Sequence, residues 1–173
     1  MINHVYIIAE AGVNHNGRLD LALQLCNAAK DAGADAAKFQ TWKTENAELA
    51  VYQENNISDK TKSQFKMLKE LELSYDNFEV VKNHCDEIGI QFLSTPDEID
   101  SLDFLCNFNL PFIKLGSGDV TNIPFLRLVG SRHIDVVLST GMSYLGDVEI
   151  AYRTLIEAGA KSVSLLHCTT NYP

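Results

Sequence analysis

The sequence has little of what membrane proteins and nucleic-acid-binding proteins usually carry. No apolar run approaches the roughly 18 residues of a membrane span, and the run near the amino terminus is only Val5–Ala9. Basic residues are few, because 14 Lys and Arg stand against 23 Asp and Glu, for a formal net charge of −9. Nucleic-acid binders usually present a basic stripe. We therefore expect neither nucleic acid nor a membrane as a partner.

Cysteine is also scarce. The four cysteines, Cys26, Cys85, Cys106 and Cys168, form no CxxC pair, and their spacing relative to histidine matches no zinc template. The opening segment "MINHVYIIAEAG" has no basic region before its apolar run, so it does not resemble a secretory signal. These absences predict reduced thiols and a cytoplasmic protein.

Short apolar runs alternate with longer segments of helical period along the chain. Buried strands that alternate with helices predict an α/β fold with a parallel sheet flanked by helices. One helix is expected to begin at the N-cap Ser74 and to end at Gly89. The last strand is expected to be buried to its end. The predicted strands are Val5–Ala9, Ala36–Phe39, Gln91–Leu93, Phe112–Leu115, Val136–Leu138 and Ser162–Leu166.

Two architectures compete for this pattern. On length alone an open doubly wound sheet is favoured, because a (β/α)8 barrel usually needs about 250 residues. The polar residues favour the barrel, since all its strands end on one functional face, whereas an open sheet needs such residues only near its switch point. Every predicted strand is followed by chemically capable side chains. They are Glu10, Lys38, Gln40, Ser94, Thr95, Lys114, Ser117, Asp119, Ser139, Thr140, His167 and Thr169. We therefore predict about six βα units of an incomplete TIM barrel.

These side chains suit a small polyanion. Lys38 and Lys114, on different strands, supply point charges for phosphate or carboxylate, and "GSG" at 116–118 lets backbone N–H groups approach a phosphate. Glu10 and Asp119 are candidates for proton transfer or sugar hydroxyls, and Glu10 is expected to be buried and partnered.

Each residue also has an ordinary structural interpretation. A strand-end lysine is often merely salt-bridged, "GSG" is often a turn, His15 can cap a turn, and His167 can be a core histidine. Only the joint pattern indicates a site. The polar stretch Thr41–Lys62 interrupts the regular pattern and is expected to be a functional or mobile loop.

Six blocks carry a resemblance to a known family. "IIAEAGVNHNG", "AGADAAKFQT", "FLSTP", "IKLGSGD", "VVLSTGM" and "LLHCTTNYP" resemble the sialic acid synthase family, which includes N-acetylneuraminate, legionaminic and pseudaminic acid synthases. The resemblance covers nearly the whole chain and about the first half of a typical member. It implies that residues 1–173 are the N-terminal portion of a TIM-barrel synthase domain. The remaining barrel and an antifreeze-like domain would lie outside this chain.

The resemblance also implies an activity. Members condense phosphoenolpyruvate with an N-acetylated hexose, N-acetylmannosamine or a diacetamido relative, to give a nonulosonic (sialic-type) acid and phosphate. They use a divalent metal, usually Mn²⁺, whose ligands we expect beyond residue 173, and the full-length protein is expected to be a homodimer. The 173-residue chain alone is expected to be inactive or nearly so.

Site residues follow from the same resemblance. Glu10 and Asp119 are the expected catalytic residues, and Gln40 and Tyr172 are expected on the sugar side together with Glu10. Asp119 stands where relatives often have Glu, one methylene longer. The residues expected to bind phosphoenolpyruvate are Lys38, Thr95, Lys114, Ser117, Ser139 and Asn171. Thr170 occupies the position where some relatives have Asn, so either it or Asn171 can make that contact.

Neither His15 nor His167 is expected to bind metal. The segment Thr41–Lys62 is expected to fold over the site as a lid.

Two other functions remain open. One is a Schiff-base aldolase that uses Lys114 or Lys38 with pyruvate. The other is a binding or assembly module without catalysis, whose six strands would leave one sheet edge open and apolar faces exposed.

Overall fold

A computed structural model of the chain describes residues 4–46 and 64–170. The chain divides into two compact units, Met1–Ser101 and Leu102–Pro173. Each unit contains three parallel strands, which confirms the predicted α/β class. In the described ranges no helix combines the length and apolar character needed to cross a bilayer.

The first unit has the strand order β1-β2-β3. Its elements are β1 (Ile8–Gly12), α1 (Leu19–Asp31), β2 (Ala36–Thr41), α2 (Gln64–Leu71), α3 (Tyr75–Ile88) and β3 (Gln91–Pro96). Helix α4 (Ile99–Cys106) then runs across the boundary between the units.

Local signals set the ends of α3 as predicted. The Ser74 hydroxyl accepts a hydrogen bond from the Asn77 backbone N–H at 3.2 Å, which satisfies one unpaired donor of the first turn. Gly89 ends the helix with a φ of +68°, a conformation that costs glycine little. Helix α3 packs on α1, where the Sγ atoms of Cys85 and Cys26 lie 3.4 Å apart in the core.

An aromatic cluster forms the core between this sheet and its helices. The ring centroids of Phe39 and Phe92 lie 5.9 Å apart, and Phe78 of α3 meets each of them at 6.3 Å. Successive side chains of a strand point to opposite faces. Because the Phe39 side chain packs on the face of the sheet that the helices cover, Lys38 and Gln40 project from the other face of β2.

The second unit has the strand order β4-β5-β6. Its elements are β4 (Ile113–Leu115), a 3-10 helix (Ser117–Thr121), α5 (Ile123–Gly130), β5 (Asp135–Ser139), α6 (Leu145–Ala158) and β6 (Ser162–Leu166). Helices α5 and α6 approach closely at Gly130, where a Cβ would lie 2.6 Å from the Leu155 carbonyl oxygen and from the Ala158 Cβ. Leu138 of β5 is fully buried.

Several predicted strand bounds were wrong. Strand β1 begins at Ile8 rather than Val5, because the Ile7 backbone instead bonds to Asp35 through its N–H and its carbonyl. Strands β2 and β3 continue to Thr41 and Pro96. Glu10, Gln40, Ser94, Thr95 and Ser139 therefore lie within the last residues of their strands, since the ladder continues past the apolar run.

The prediction of a buried last strand was also wrong. Leu165 is 44% exposed and Leu166 39% exposed, because β6 is an edge strand of its unit and pairs only with β5 among the described residues. An open edge and exposed apolar side chains were expected of a six-stranded piece. The strand orders β1-β2-β3 and β4-β5-β6 occur in both the barrel and the doubly wound sheet.

Candidate active site

Three strands of the first unit bring predicted site residues together around Lys38. Its Nζ lies 2.9 Å from the Glu10 Oε2 and donates a hydrogen bond to the Thr95 Oγ1 at 3.3 Å. The strand register explains the first contact, because Glu10 is paired directly with Lys38. Lys38 and Thr95 are both buried, and a buried ammonium needs such partners. Lys38 is therefore a cation held in a fixed position.

Glu10 is the exposed partner of this pair. Its side chain is 62% exposed, so the expectation of a buried Glu10 was wrong. The register with β2 shifts between Glu10 and Gly12, so the regular ladder is interrupted next to Glu10. Gln40 pairs in register with Thr95 and is half-buried. Glu10, Lys38, Gln40 and Thr95 thus share one edge of the first sheet.

A pair of buried hydroxyl groups lies on β2 and β3. The Oγ1 of Thr41 and the Oγ of Ser94 are 2.7 Å apart, and both residues are fully buried. Sequence reasoning placed Ser94 at a strand end and wrongly placed Thr41 in the loop Thr41–Lys62, whereas it is the last residue of β2. Alternation along a strand was the available signal, because Thr41 follows Phe39 by two positions and shares its face.

His15 caps a turn. Its ring is fully buried, with its centroid 6.1 Å from that of Phe39. The Gly17 backbone N–H donates to its Nδ1 at 3.1 Å. Burial lowers the pKa of His15 below its ordinary value because the charged ring would lose its hydration. The turn-capping interpretation is confirmed.

The second unit holds a lysine in the same manner. The Lys114 Nζ donates to the Ser139 Oγ and to the Leu115 carbonyl oxygen, each at 2.6 Å, and Lys114 is buried. Lys114 is paired in register with Val137, and Ser139 lies two residues further along β5.

The same offset holds in the first unit. Lys38 is paired with Leu93, and Thr95 lies two residues further along β3. Each lysine is therefore held by a hydroxyl of the next strand, at an identical position relative to the register.

Asp119 carries the clearest electrostatic perturbation of the predicted residues. It lies in the 3-10 helix after β4, half-buried. Burial raises its pKa to about 6, and the Gly116 backbone hydrogen bond and the Lys114 charge oppose that rise. A carboxyl group with a pKa near neutrality is suited to exchanging a proton.

The loops after β5 and β6 meet the loop after β4 at Gly141. A Cβ at Gly141 would lie 2.7 Å from both the Ser117 Oγ and the Thr170 Oγ1. Sequence reasoning did not single out Gly141. His167 is exposed, so its interpretation as a core histidine was wrong, and Thr169 is exposed as well. Thr140 donates through its Oγ1 to the Leu166 carbonyl oxygen at 3.1 Å.

Some predictions lie outside the described residues. They include Asn171 and Tyr172, and most of the proposed lid, of which only residues 41–46 are described. The Glu72 Oε2 accepts from the Thr44 N–H at 2.9 Å and from its hydroxyl at 2.6 Å. In residues 4–46 and 64–170, no three or more His, Cys, Asp or Glu side chains are grouped to hold a metal ion.

Comparison with known proteins identifies the family. The sequence pattern of the NeuB family matches residues 25–173. The chain belongs to the NeuB family. It is 43% identical to the N,N'-diacetyllegionaminic acid synthase of Legionella pneumophila, over 97% of this chain and 49% of that protein. It is 42% identical to the N,N'-diacetyllegionaminic acid synthase of Campylobacter jejuni, over 96% of this chain and 52% of that protein.

The NeuB family assignment extends to solved structures. The N-acetylneuraminic acid (sialic acid) synthetase of Leptospira borgpetersenii matches with a TM-score of 0.84 and 31% identity, over 99% of this chain and 56% of that chain. The chain thus spans about half the length of the NeuB relatives it matches.

Proposed function

We propose that this NeuB family protein condenses phosphoenolpyruvate with an N-acetylated hexose to form a sialic-type (nonulosonic) acid and phosphate. One observation carries the proposal. Two buried lysines, Lys38 and Lys114, are each hydrogen-bonded to a hydroxyl of the next strand. Such cations suit the phosphate and carboxylate groups of phosphoenolpyruvate. The relatives named as legionaminic and sialic acid synthases support the same chemistry.

The residue assignments follow the resemblance and the contacts in each unit. From the resemblance we assign phosphoenolpyruvate to Lys38, Thr95, Lys114, Ser117, Ser139 and Asn171. Gln40 and Tyr172 are assigned to the sugar, and Glu10 is the catalytic carboxylate on the sugar side. The acceptor is N-acetylmannosamine or a diacetamido relative.

Asp119 is assigned the role of proton acceptor in this reaction. The methylene carbon of phosphoenolpyruvate forms a bond to the aldehyde carbon of the sugar, whose oxygen takes up a proton. Water adds to the electron-poor central carbon and gives a proton to the Asp119 carboxylate. The tetrahedral carbon then loses phosphate by cleavage of its C–O bond and becomes the ketone as its hydroxyl proton leaves. Fixed ammonium groups stabilise the negative charge that develops on the departing phosphate.

The requirement for a divalent metal stays a prediction, and none of these reaction steps depends on it. The residues assigned here are lysines, hydroxyls and single carboxylates, a donor set that does not form a metal site in the described part of the chain. We also propose that the two units belong to a (β/α)8 barrel, supported by the likeness to the Leptospira synthetase. A cytoplasmic location is supported by four free cysteines, and a homodimer is expected from the resemblance.

The test is phosphate release by the full-length protein. We expect release that requires both phosphoenolpyruvate and the amino sugar, and that Lys38→Met or Lys114→Met abolishes. A wild-type protein that binds phosphoenolpyruvate without turnover supports the binding module instead. A Schiff-base aldolase instead uses a lysine that attacks pyruvate as a neutral amine. A covalent adduct with pyruvate after borohydride treatment would contradict the proposal.

A further inference from the structure

The loop after β1 contains a tight turn, residues 13–17, that is built around the His15 ring. The Arg18 backbone N–H donates a hydrogen bond to the His15 carbonyl oxygen at 2.9 Å. Asn16 and Gly17 have φ values of +49° and +69°, and a residue with a side chain seldom adopts such a conformation without local support. The turn therefore depends on the contacts that His15 makes.

The turn packs on two neighbouring elements. The His15 ring centroid lies 6.1 Å from that of Phe39 on β2. A Cβ at Gly17 would lie 2.3 Å from the Glu70 carbonyl oxygen, so the turn lies directly against the end of α2. His15 is fully buried between these contacts, and a buried polar ring is costly unless its nitrogen atoms are hydrogen-bonded.

The hydrogen bonds of the ring define where its proton lies. The Gly17 N–H donates to the His15 Nδ1 at 3.1 Å, so Nδ1 is an acceptor and the neutral ring carries its proton on Nε2. The Nε2 atom is buried and has no hydrogen-bond partner in the described ranges. A protonated ring has a donor at both nitrogen atoms. Its Nδ1–H would face the Gly17 N–H, so the contact that caps the turn would be lost.

In the described part of the chain, no carboxylate pairs with His15 to offset a positive charge. Burial is the cause of its lowered pKa. The charged side chains of the neighbouring elements pair with each other instead, and α2 also carries Lys66 and Glu70. These pairs are Glu10–Lys38, Arg18–Asp20 and Lys69–Glu72. The closed turn therefore favours the neutral ring.

We propose that the neutral His15 ring holds the loop after β1 against α2, and that protonation of the ring releases this loop. When the turn opens, Nδ1 takes up a proton from solvent, and the Gly17 N–H can no longer donate to it. The turn begins three residues after Glu10, so its release frees the chain that follows Glu10 on the sugar side of the site. Only this last consequence rests on the proposed function, because the release itself involves no substrate.

The test is hydrogen exchange of the backbone amides of residues 16–18 in the full-length protein without substrate, with the intrinsic effect of pH removed. His15→Asn is the test variant, because an Asn side-chain oxygen accepts from the N–H two residues later and takes up no proton. Opening exposes a ring with the ordinary pKa of 6.5. Between pH 7 and pH 5, protection in the wild type should fall by up to about 25-fold, and in His15→Asn by less than about twofold.

His84→Asn is the matched control. The His84 Nε2 lies 2.8 Å from the Asn27 Oδ1 in a solvent-exposed contact on α3, so this variant should keep the wild-type dependence on pH at residues 16–18. Constant protection in the wild type, or an equal fall in His15→Asn, overturns the proposal. If His15→Asn does not fold, the wild type decides alone. A fall at residues 16–18 without one in α3 then supports the proposal, and any other pattern overturns it.

Discussion

The Glu10 carboxylate and the Lys38 ammonium face each other across β1 and β2 at 2.9 Å, and only the lysine is buried. The pair is therefore asymmetric. Without Lys38, Glu10 remains hydrated and loses little. Without Glu10, Lys38 keeps the Thr95 hydroxyl as a partner, and the exposure of Glu10 makes their mutual attraction weak.

This asymmetry predicts different effects of two substitutions. Lys38→Met should weaken phosphoenolpyruvate binding by roughly 100-fold, because a fixed, charged hydrogen-bond donor is lost. Glu10→Gln should leave the affinity within a few fold and lower kcat, since Glu10 is assigned to the sugar side. Titration calorimetry and steady-state kinetics measure the two effects. Equal losses of affinity in both variants would contradict the assignment.

Asp119 should make stability depend on pH. Its pKa is about 6 in the folded protein against an ordinary value of 3.8, so folding favours the protonated carboxyl group. That stabilisation is complete below about pH 4 and is lost as the pH rises through about 6. Asp119→Asn stays neutral, so at pH 7 it should be more stable than the wild type by up to about 2–3 kcal/mol. Urea unfolding at pH 4 and pH 7 measures this, and an equal difference at both would refute it.

Turnover should depend on the other protonation state of Asp119, the charged carboxylate. The carboxylate is the form that accepts a proton from water, so kcat should rise through an apparent pKa near 6. Asp119→Asn should abolish this rise together with most of the turnover. Asp103→Asn, on the exposed face of α4, is a control that should keep the wild-type pH profile.

The Thr41–Ser94 hydroxyl pair should behave as one unit. Thr41→Val leaves the buried Ser94 hydroxyl without its partner and should cost about 1–3 kcal/mol of unfolding free energy. Replacing both, as Thr41→Val with Ser94→Ala, should cost less than the sum of the single changes. Denaturant unfolding of the four proteins gives the coupling. Strict additivity would show that the pair contributes nothing jointly.

Two glycines at positive φ offer a matched comparison. Gly12 and Gly17 have φ values of +51° and +69°, so alanine at either should cost about 1–2 kcal/mol in backbone strain. A Cβ at Gly12 meets nothing within 4 Å, whereas at Gly17 it would lie 2.3 Å from the Glu70 carbonyl oxygen. Gly17→Ala should therefore cost about 1–3 kcal/mol more than Gly12→Ala. Similar unfolding midpoints for both variants would contradict this account.

Local signals in the sequence predicted local structure well. The ends of α3 were predicted correctly because Ser74 and Gly89 act within one helical turn. The carboxyl ends of β2 and β3 were not, because Gln40 and Thr95 are polar and their strand conformation depends on pairing with the neighbouring strand. Exposure of β6 could not be read from its apolar residues either, since it depends on which strands pair with it.

The same distinction between local and distant signals applies to the candidate site. Lys38 and Lys114 were predicted from residue type and position, and their burial with hydroxyl partners agrees with an anion site. Gly141 was missed because its crowding comes from Ser117 and Thr170, which are distant in sequence. Contacts between loops of different strands leave no periodic signal in a single sequence.

The shared offset of the lysine–hydroxyl pairs has a consequence for how such chains can diverge. Lys38 and Thr95 are 57 positions apart, while Lys114 and Ser139 are only 25 apart, yet both pairs have the same two-residue offset from the strand register. Insertions between the paired strands can therefore accumulate without moving either cation. Deletion of a single residue within β3 or β5 would turn the hydroxyl to the opposite face of the sheet. The connections between strands can thus change in length during evolution. The number of residues between the register partner of each lysine and the hydroxyl residue cannot.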